Sequence, residues 1–96
     1  MDTSHFALVV YDISNDRRRT RLHNLLLDFG TPVQYSVFEL LVDGPGLIRL
    51  QTRIRQVIRP RLDRVRIYYV CERCLARTQV LCGREVLTRK GATCVV

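Results

Sequence analysis

The sequence has no tryptophan, one lysine and two histidines, and no apolar run in it approaches the ~20 residues that cross a bilayer. No N-terminal stretch has the basic, apolar and small-residue order of a signal peptide, so the chain reads as cytoplasmic, with no membrane partner. Low-complexity tracts, internal repeats and long linkers are also missing. Ninety-six residues therefore read as a single domain, 1–96, able to fold alone but small enough to leave much apolar surface uncovered in a monomer. Acidic residues are scarce. Nine Asp and Glu stand against sixteen Lys and Arg, for a net charge of +7, and fifteen of the sixteen are Arg. Such an excess favours an anionic partner, and the planar guanidinium suits bidentate binding of phosphate.

Four cysteines are present, Cys71, Cys74, Cys82 and Cys94. In a cytoplasmic chain they read first as thiols or metal ligands and second as disulfides. CERC, residues 71–74, has the C-x-x-C spacing of zinc knuckles and of thioredoxin-like redox pairs. Neither Cys82 nor Cys94 belongs to a second such motif, and the pattern does not clearly set the pair at a helix start after a strand. Buried structural thiols are the first expectation, structural zinc or a disulfide the second, redox chemistry the third.

HFALVVYDI, residues 5–13, is apolar almost without alternation, the pattern of a central strand covered on both faces. Ser14, Asn15 and Asp16 offer capping side chains, and Leu22, Leu25, Leu26 and Phe29 then repeat at helical spacing before Gly30 and Pro32, which predicts a helix over about 16–29. TPVQYSVFELLV is β-branched and aromatic, one long strand or a hairpin broken near Tyr35 and Ser36. DGPG opens a second amphipathic helix with Leu47, Leu50, Ile54, Val57 and Ile58 on one stripe and Pro60 as its stop. DRVRIYYVC alternates as a strand, with Val65, Ile67, Tyr69 and Cys71 on one face. QVLC and ATCVV are short β-prone pieces. Two helices among four or five strands predict an α+β sandwich with both helices on one face of the sheet. The other face is then bare, and a second copy of the same sheet is expected to cover it in a homodimer packed sheet to sheet.

Asp12 ends the first strand. Ser14, Asn15 and Asp16 suffice for capping, so its carboxylate is spare, and its place beside a cation-rich helix start suits a hard metal ion held near phosphate. One carboxylate per chain makes half a site, and a two-fold axis would supply the other. Arg17, Arg18, Arg19 and Arg21 occupy the first two helical turns, where cations oppose the macrodipole by roughly 0.3–1 kcal/mol each. The same helix end welcomes an anion. At 100° per residue, Arg18 and Arg19 are expected to reach toward Asp12 while Arg17 and Arg21 turn outward to a nucleic-acid backbone; the alternative is ion pairing with Asp12 and Asp16. Arg49, Arg53, Arg55, Arg59, Arg61, Arg64 and Arg66 read as a diffuse basic surface. Phe38 reads as packing, and neither His5 nor His23 is placed by sequence as a general base.

YDIS at 11–14, the Arg cluster, Gly30 and QYSVFE at 34–39 together resemble the CRISPR-associated protein 2 family over about residues 5–70. Tyr11, Asp12, Ile13, Arg19, Gln34, Ser36, Val37 and Phe38 are the most specific positions. The resemblance implies a ferredoxin-like βαββαβ sandwich with an extra C-terminal strand, residues 79–96 forming strands that pair across a homodimer. It implies Asp12 from each protomer as a facing catalytic and metal-binding pair with Mg²⁺ between them. It implies work in spacer acquisition beside the integrase, CRISPR-associated protein 1, on double-stranded DNA or RNA, either as a metal-dependent nuclease or as a structural bridge. Val33 stands where some members carry a basic residue, and the four cysteines are outside the family pattern. A toxin-type small ribonuclease of related fold and a zinc or redox module built on the cysteines are the alternatives.

Overall fold

A computed structural model describes residues 4–86 of the chain. In order these form β1 (His5–Asp12), α1 (Asp16–Leu26), β2 (Gly30–Gln34), β3 (Val37–Val42), α2 (Gly44–Val57), β4 (Arg64–Val70) and α3 (Glu72–Ala76). The strands make one antiparallel sheet in the order β2-β3-β1-β4, the ferredoxin-like βαββαβ arrangement. β1 is central, with Val9 opposite Phe38 on one side and Ile67 on the other. Its near-continuous apolar run follows from that place. Among the described residues no helix is long and apolar enough to cross a membrane.

Strand alternation sends Ala7, Val9 and Tyr11 of β1 and Phe38, Leu40 and Val42 of β3 toward the helices. There they meet Leu22, Leu25 and Leu26 of α1 and Leu50 and Ile54 of α2, all buried. Each helix thus spends one stripe on a shared core. Asn15 caps α1, its Oδ1 accepting the Arg18 N–H at 2.9 Å, and Asp43 caps α2 through Gly46 N–H at 2.7 Å.

α1 is shorter than the predicted 16–29. Its last turn tightens, with Asp28 N–H donating to Leu25 O and Phe29 N–H to Leu26 O, and the chain enters β2 at once. The entry is tight because Gly30 lies against β3, where a Cβ would stand 2.1 Å from the Glu39 carbonyl oxygen. The break at Tyr35 and Ser36 makes 30–42 a hairpin, with the register shifted between Pro32 and Gln34. Pro32 is tolerated because β2 is an edge strand.

Three expectations about the C-terminal third need correction. Tyr69 shares an alternation with Val65 and Ile67 but is 54% exposed, because β4 is the other edge and the helix layer reaches no further than Ile67. Cys71 falls beyond β4 and caps α3, an element the periodicity did not announce. QVLC, 79–82, forms no strand; the segment runs beside Thr31, Pro32, Val33 and Glu39, where Arg84 Nη2 donates to Pro32 O at 2.8 Å and Val86 is buried. ATCVV, 92–96, lies outside the described residues.

The start of α1 is fixed to the connection between α2 and β4. Asp63 is a buried carboxylate, and Arg18 reaches it with a bidentate pair, Nε to Oδ2 at 2.8 Å and Nη2 to Oδ1 at 3.0 Å. Arg59 N–H adds a third donor at 2.8 Å. The Arg18 hydrogen bonds, ahead of every other cause, hold the Asp63 carboxyl below its ordinary 3.8 against the opposing effect of burial.

Two stability measurements check this account. Gly30→Ala forces a methyl group into the β3 backbone and should cost about 2–3 kcal/mol in urea denaturation. Gly44→Ala, whose added Cβ meets nothing within 4 Å, should stay within about 0.5 kcal/mol of wild type. For Asp63 the folded pKa is the lower one, so its contribution is complete above about pH 4 and is lost as the pH falls through the folded value. Asp63→Asn should therefore lower Tm by roughly 5 °C or more at neutral pH, with the gap to wild type shrinking in acid. A gap that stays constant down to about pH 2 would contradict the assignment.

Candidate nucleic-acid and metal site

Asp12 is the last residue of β1, opposite Arg64 of β4 in the sheet register. Tyr11 and Ile13 on either side are buried toward the helices, so alternation turns Asp12 to the opposite, exposed face. Among the described residues its carboxylate makes no hydrogen bond or ion pair. It stands in the wall of a cleft of about 650 Å³ shared with Arg19, Thr20 and His23 of α1, with Gln34 at the end of β2 and with Tyr35 and Ser36 of the hairpin turn.

The turn is fastened to the same strand end. Tyr11 N–H donates to Ser36 O and the Tyr11 hydroxyl donates to Tyr35 O, both at 3.1 Å. Burial pushes the Tyr11 phenol up, with Arg19 pulling the other way, so this hydroxyl stays a donor. Ser36 holds the turn by its backbone carbonyl. Phe38 is fully buried beneath, with the His23 ring edge-on at 5.2 Å and Tyr11 at 6.4 Å. His23 is the residue that sequence reasoning passed over. Its signal was the four-residue spacing from Arg19, which puts both on the cleft side of α1.

The arginines divide by partner. Arg18 is committed to Asp63 and does not reach toward Asp12. Arg19 pairs with Asp16 and donates through Nη1 to Ile13 O at 2.9 Å, the ion-pairing alternative for this residue, while its guanidinium still lines the cleft. Arg53 of α2 pairs with Asp28 at 3.1 Å and lies over the Phe29 ring at 5.5 Å. Arg17 and Arg21 are exposed and make no ion pair among the described residues. With Arg59 and Arg61 they line a groove of about 1160 Å³ between the start of α1 and the end of α2, and no carboxylate is among its lining residues. Sequence reasoning spread Arg59 and Arg61 over a diffuse surface. The Asp63 clamp is what brings them opposite Arg17 and Arg21.

A hard cation fits Asp12 as half a site. The carboxylate is free and exposed to water, and Mg²⁺ commonly keeps several waters and takes one or two carboxylates with substrate phosphate. Among the described residues no three of His, Cys, Asp and Glu converge on one point. Cys71, Cys74 and Cys82 are exposed free thiols, which overturns the expectation of buried ones; Cys94 lies outside the described residues.

Residues 5–78 match the family model of the CRISPR associated protein Cas2. The chain is 39% identical over 70 residues to the CRISPR-associated endoribonuclease Cas2 4 of Rhodospirillum rubrum, a match that covers 73% of this chain and 56% of that one. It therefore spans little more than half of that relative's length. Among solved structures it resembles Streptococcus pyogenes Cas2 with a TM-score of 0.70 at 28% identity, over 79% of this chain and 98% of that one. It also resembles a chain of a partial Cas6-RT-Cas1–Cas2 complex, TM-score 0.69 at 27% identity, over 80% and 90%. A family match over most of the chain, laid on the same fold, leads to one assignment: the chain belongs to the Cas2 family of CRISPR-associated proteins.

Proposed function

We propose that the protein acts in the cytoplasm during spacer acquisition, as a homodimer that holds duplex nucleic acid in its arginine groove and bridges the integrase. The observation that carries this reading is the groove itself. Five arginines line one channel that no carboxylate lines, and beside the Asp63-bound Arg18 the other four, Arg17, Arg21, Arg59 and Arg61, make no ion pair among the described residues, which suits phosphate contact without sequence readout. The solved complex that pairs Cas1 with Cas2 supports the integrase as partner. For the dimer, the sheet face away from the helices carries Leu8, Val10, Val37 and Leu41, half-buried in the single chain and apolar enough to reward a second copy.

A second reading, metal-dependent phosphodiester cleavage, is favoured by the cleft that Asp12 and His23 share. Asp12 would hold the cation, with the second carboxylate coming from the partner's Asp12. When bound, Mg²⁺ would offset phosphate charge and lower the pKa of a bound water. His23 is the one imidazole among the cleft-lining residues, and Arg19 offers a guanidinium to the phosphate.

Fluorescence anisotropy with duplex DNA and RNA across a salt series tests the first reading. Arg17→Ala and Arg21→Ala should each lower the slope of log K against log salt by about 0.9, equally for unrelated sequences, while Arg53→Ala should change it little. Wild-type slopes for both groove variants would remove the groove from the interface. Asp12→Asn tests the second reading. It should leave metal-free binding intact or slightly tighter and abolish Mg²⁺-dependent cleavage, and cleavage at the wild-type rate by this variant would refute the metal assignment.

A further inference from the structure

The CERC pair lies outside both the cleft and the groove, and nothing in the proposed function uses it. Both thiols are exposed. Cys71 follows β4 directly, and its Sγ accepts the Cys74 N–H at 3.4 Å while its carbonyl accepts the Leu75 N–H at 2.9 Å. One turn of chain therefore folds Cys74 back toward Cys71, with Cys71 as the cap of α3. The turn is held from its far side, where Arg77 N–H and Thr78 Oγ1 each donate to Cys74 O at 3.1 Å. Two thiols held on one fixed turn and open to solvent are placed to bond to each other.

We propose that Cys71 and Cys74 form a redox-active dithiol that exchanges with low-molecular-weight disulfides, Cys71 attacking and Cys74 resolving. Cys71 takes the first role because its sulfur accepts the Cys74 N–H. The Cys74 N–H, first among several donors, holds the Cys71 thiol below its ordinary 9.0, whereas donation to Cys71 holds the Cys74 thiol above it. In the first step the Cys71 thiolate bonds to one sulfur of glutathione disulfide, the S–S bond of the oxidant breaks, and one glutathione leaves and takes up a proton. In the second, Cys74 loses its proton and bonds to Cys71 Sγ, displacing the other glutathione as a thiol. Two electrons pass from the dithiol to the oxidant, and the two thiol protons end on the two glutathiones. The site stands where the chain leaves the sheet, so the bond would close a four-residue ring at the root of the segment that runs beside β2.

The sequence supplies a direct readout, because trypsin cuts after Arg73, between the two cysteines. The full-length reduced protein is exposed to glutathione disulfide, free thiols are trapped by alkylation, and the digest is analysed by mass spectrometry. A Cys71–Cys74 disulfide leaves peptides 67–73 and 74–77 joined; the dithiol leaves them apart. The joined form should appear at least about tenfold faster than the glutathione adduct of Cys82, an exposed thiol in the same molecule, and dithiothreitol should separate it. Cys74→Ser should trap a glutathione on Cys71. Equal modification of Cys71, Cys74 and Cys82 with no joined peptide, or Cys71 joined to Cys82 or Cys94 instead, would overturn the proposal.

Discussion

The buried carboxylate of Asp63 is the constraint on which the arrangement of charge depends. A carboxylate out of water must have its oxygens filled, and here Arg18 fills both while the Arg59 N–H adds a third bond. One contact therefore decides three things. It fixes the start of α1 against the end of α2, it withdraws Arg18 from solvent, and it sets Arg17 and Arg21 across from Arg59 and Arg61. Like charges facing one groove repel one another, and an anion between them would relieve that repulsion, which is why the proposed function places phosphate there.

The strand end follows a similar logic on a smaller scale. β1 buries Tyr11, the chain just past it buries Ile13, and the alternation between them leaves Asp12 facing water. The Tyr11 hydroxyl and backbone then tie the Tyr35–Ser36 turn to that end, so the cleft beside Asp12 has one rigid wall from the sheet and one from α1. The rigidity comes from the core beneath, where Phe38 meets both Tyr11 and His23.

The core was legible because its signals are local. The unbroken run at 5–13, the helical spacing of Leu22, Leu25 and Leu26, and the turn residues around Tyr35 and at Asp43 each dictate an element within a few residues of themselves. The place of Asp12 at the strand end, outside the helix cap that Asn15 makes, was legible for the same reason. What escaped were consequences of tertiary contact. Asp63 is 45 residues from Arg18, so no periodicity announces their pairing, and with it went the partition of the arginines. The end of α1 moved because Gly30 had to meet Glu39 across a strand pair. α3 was hidden because five residues carry too little pattern, although Glu, Arg, Leu and Ala are all good helix formers.

The account makes the clamp an organiser of the groove, and electrostatics alone predicts the opposite, so the two separate cleanly in one variant. Removing a negative charge beside the proposed phosphate groove, and releasing Arg18 with it, should by Coulomb's law tighten binding. The clamp account predicts that Asp63→Asn, measured by duplex affinity at low salt and well below its Tm, binds several-fold more weakly than wild type, with a smaller salt slope, because Arg59 and Arg61 no longer face Arg17 and Arg21. Affinity equal to or greater than wild type with an undiminished slope would show that the groove does not need the clamp.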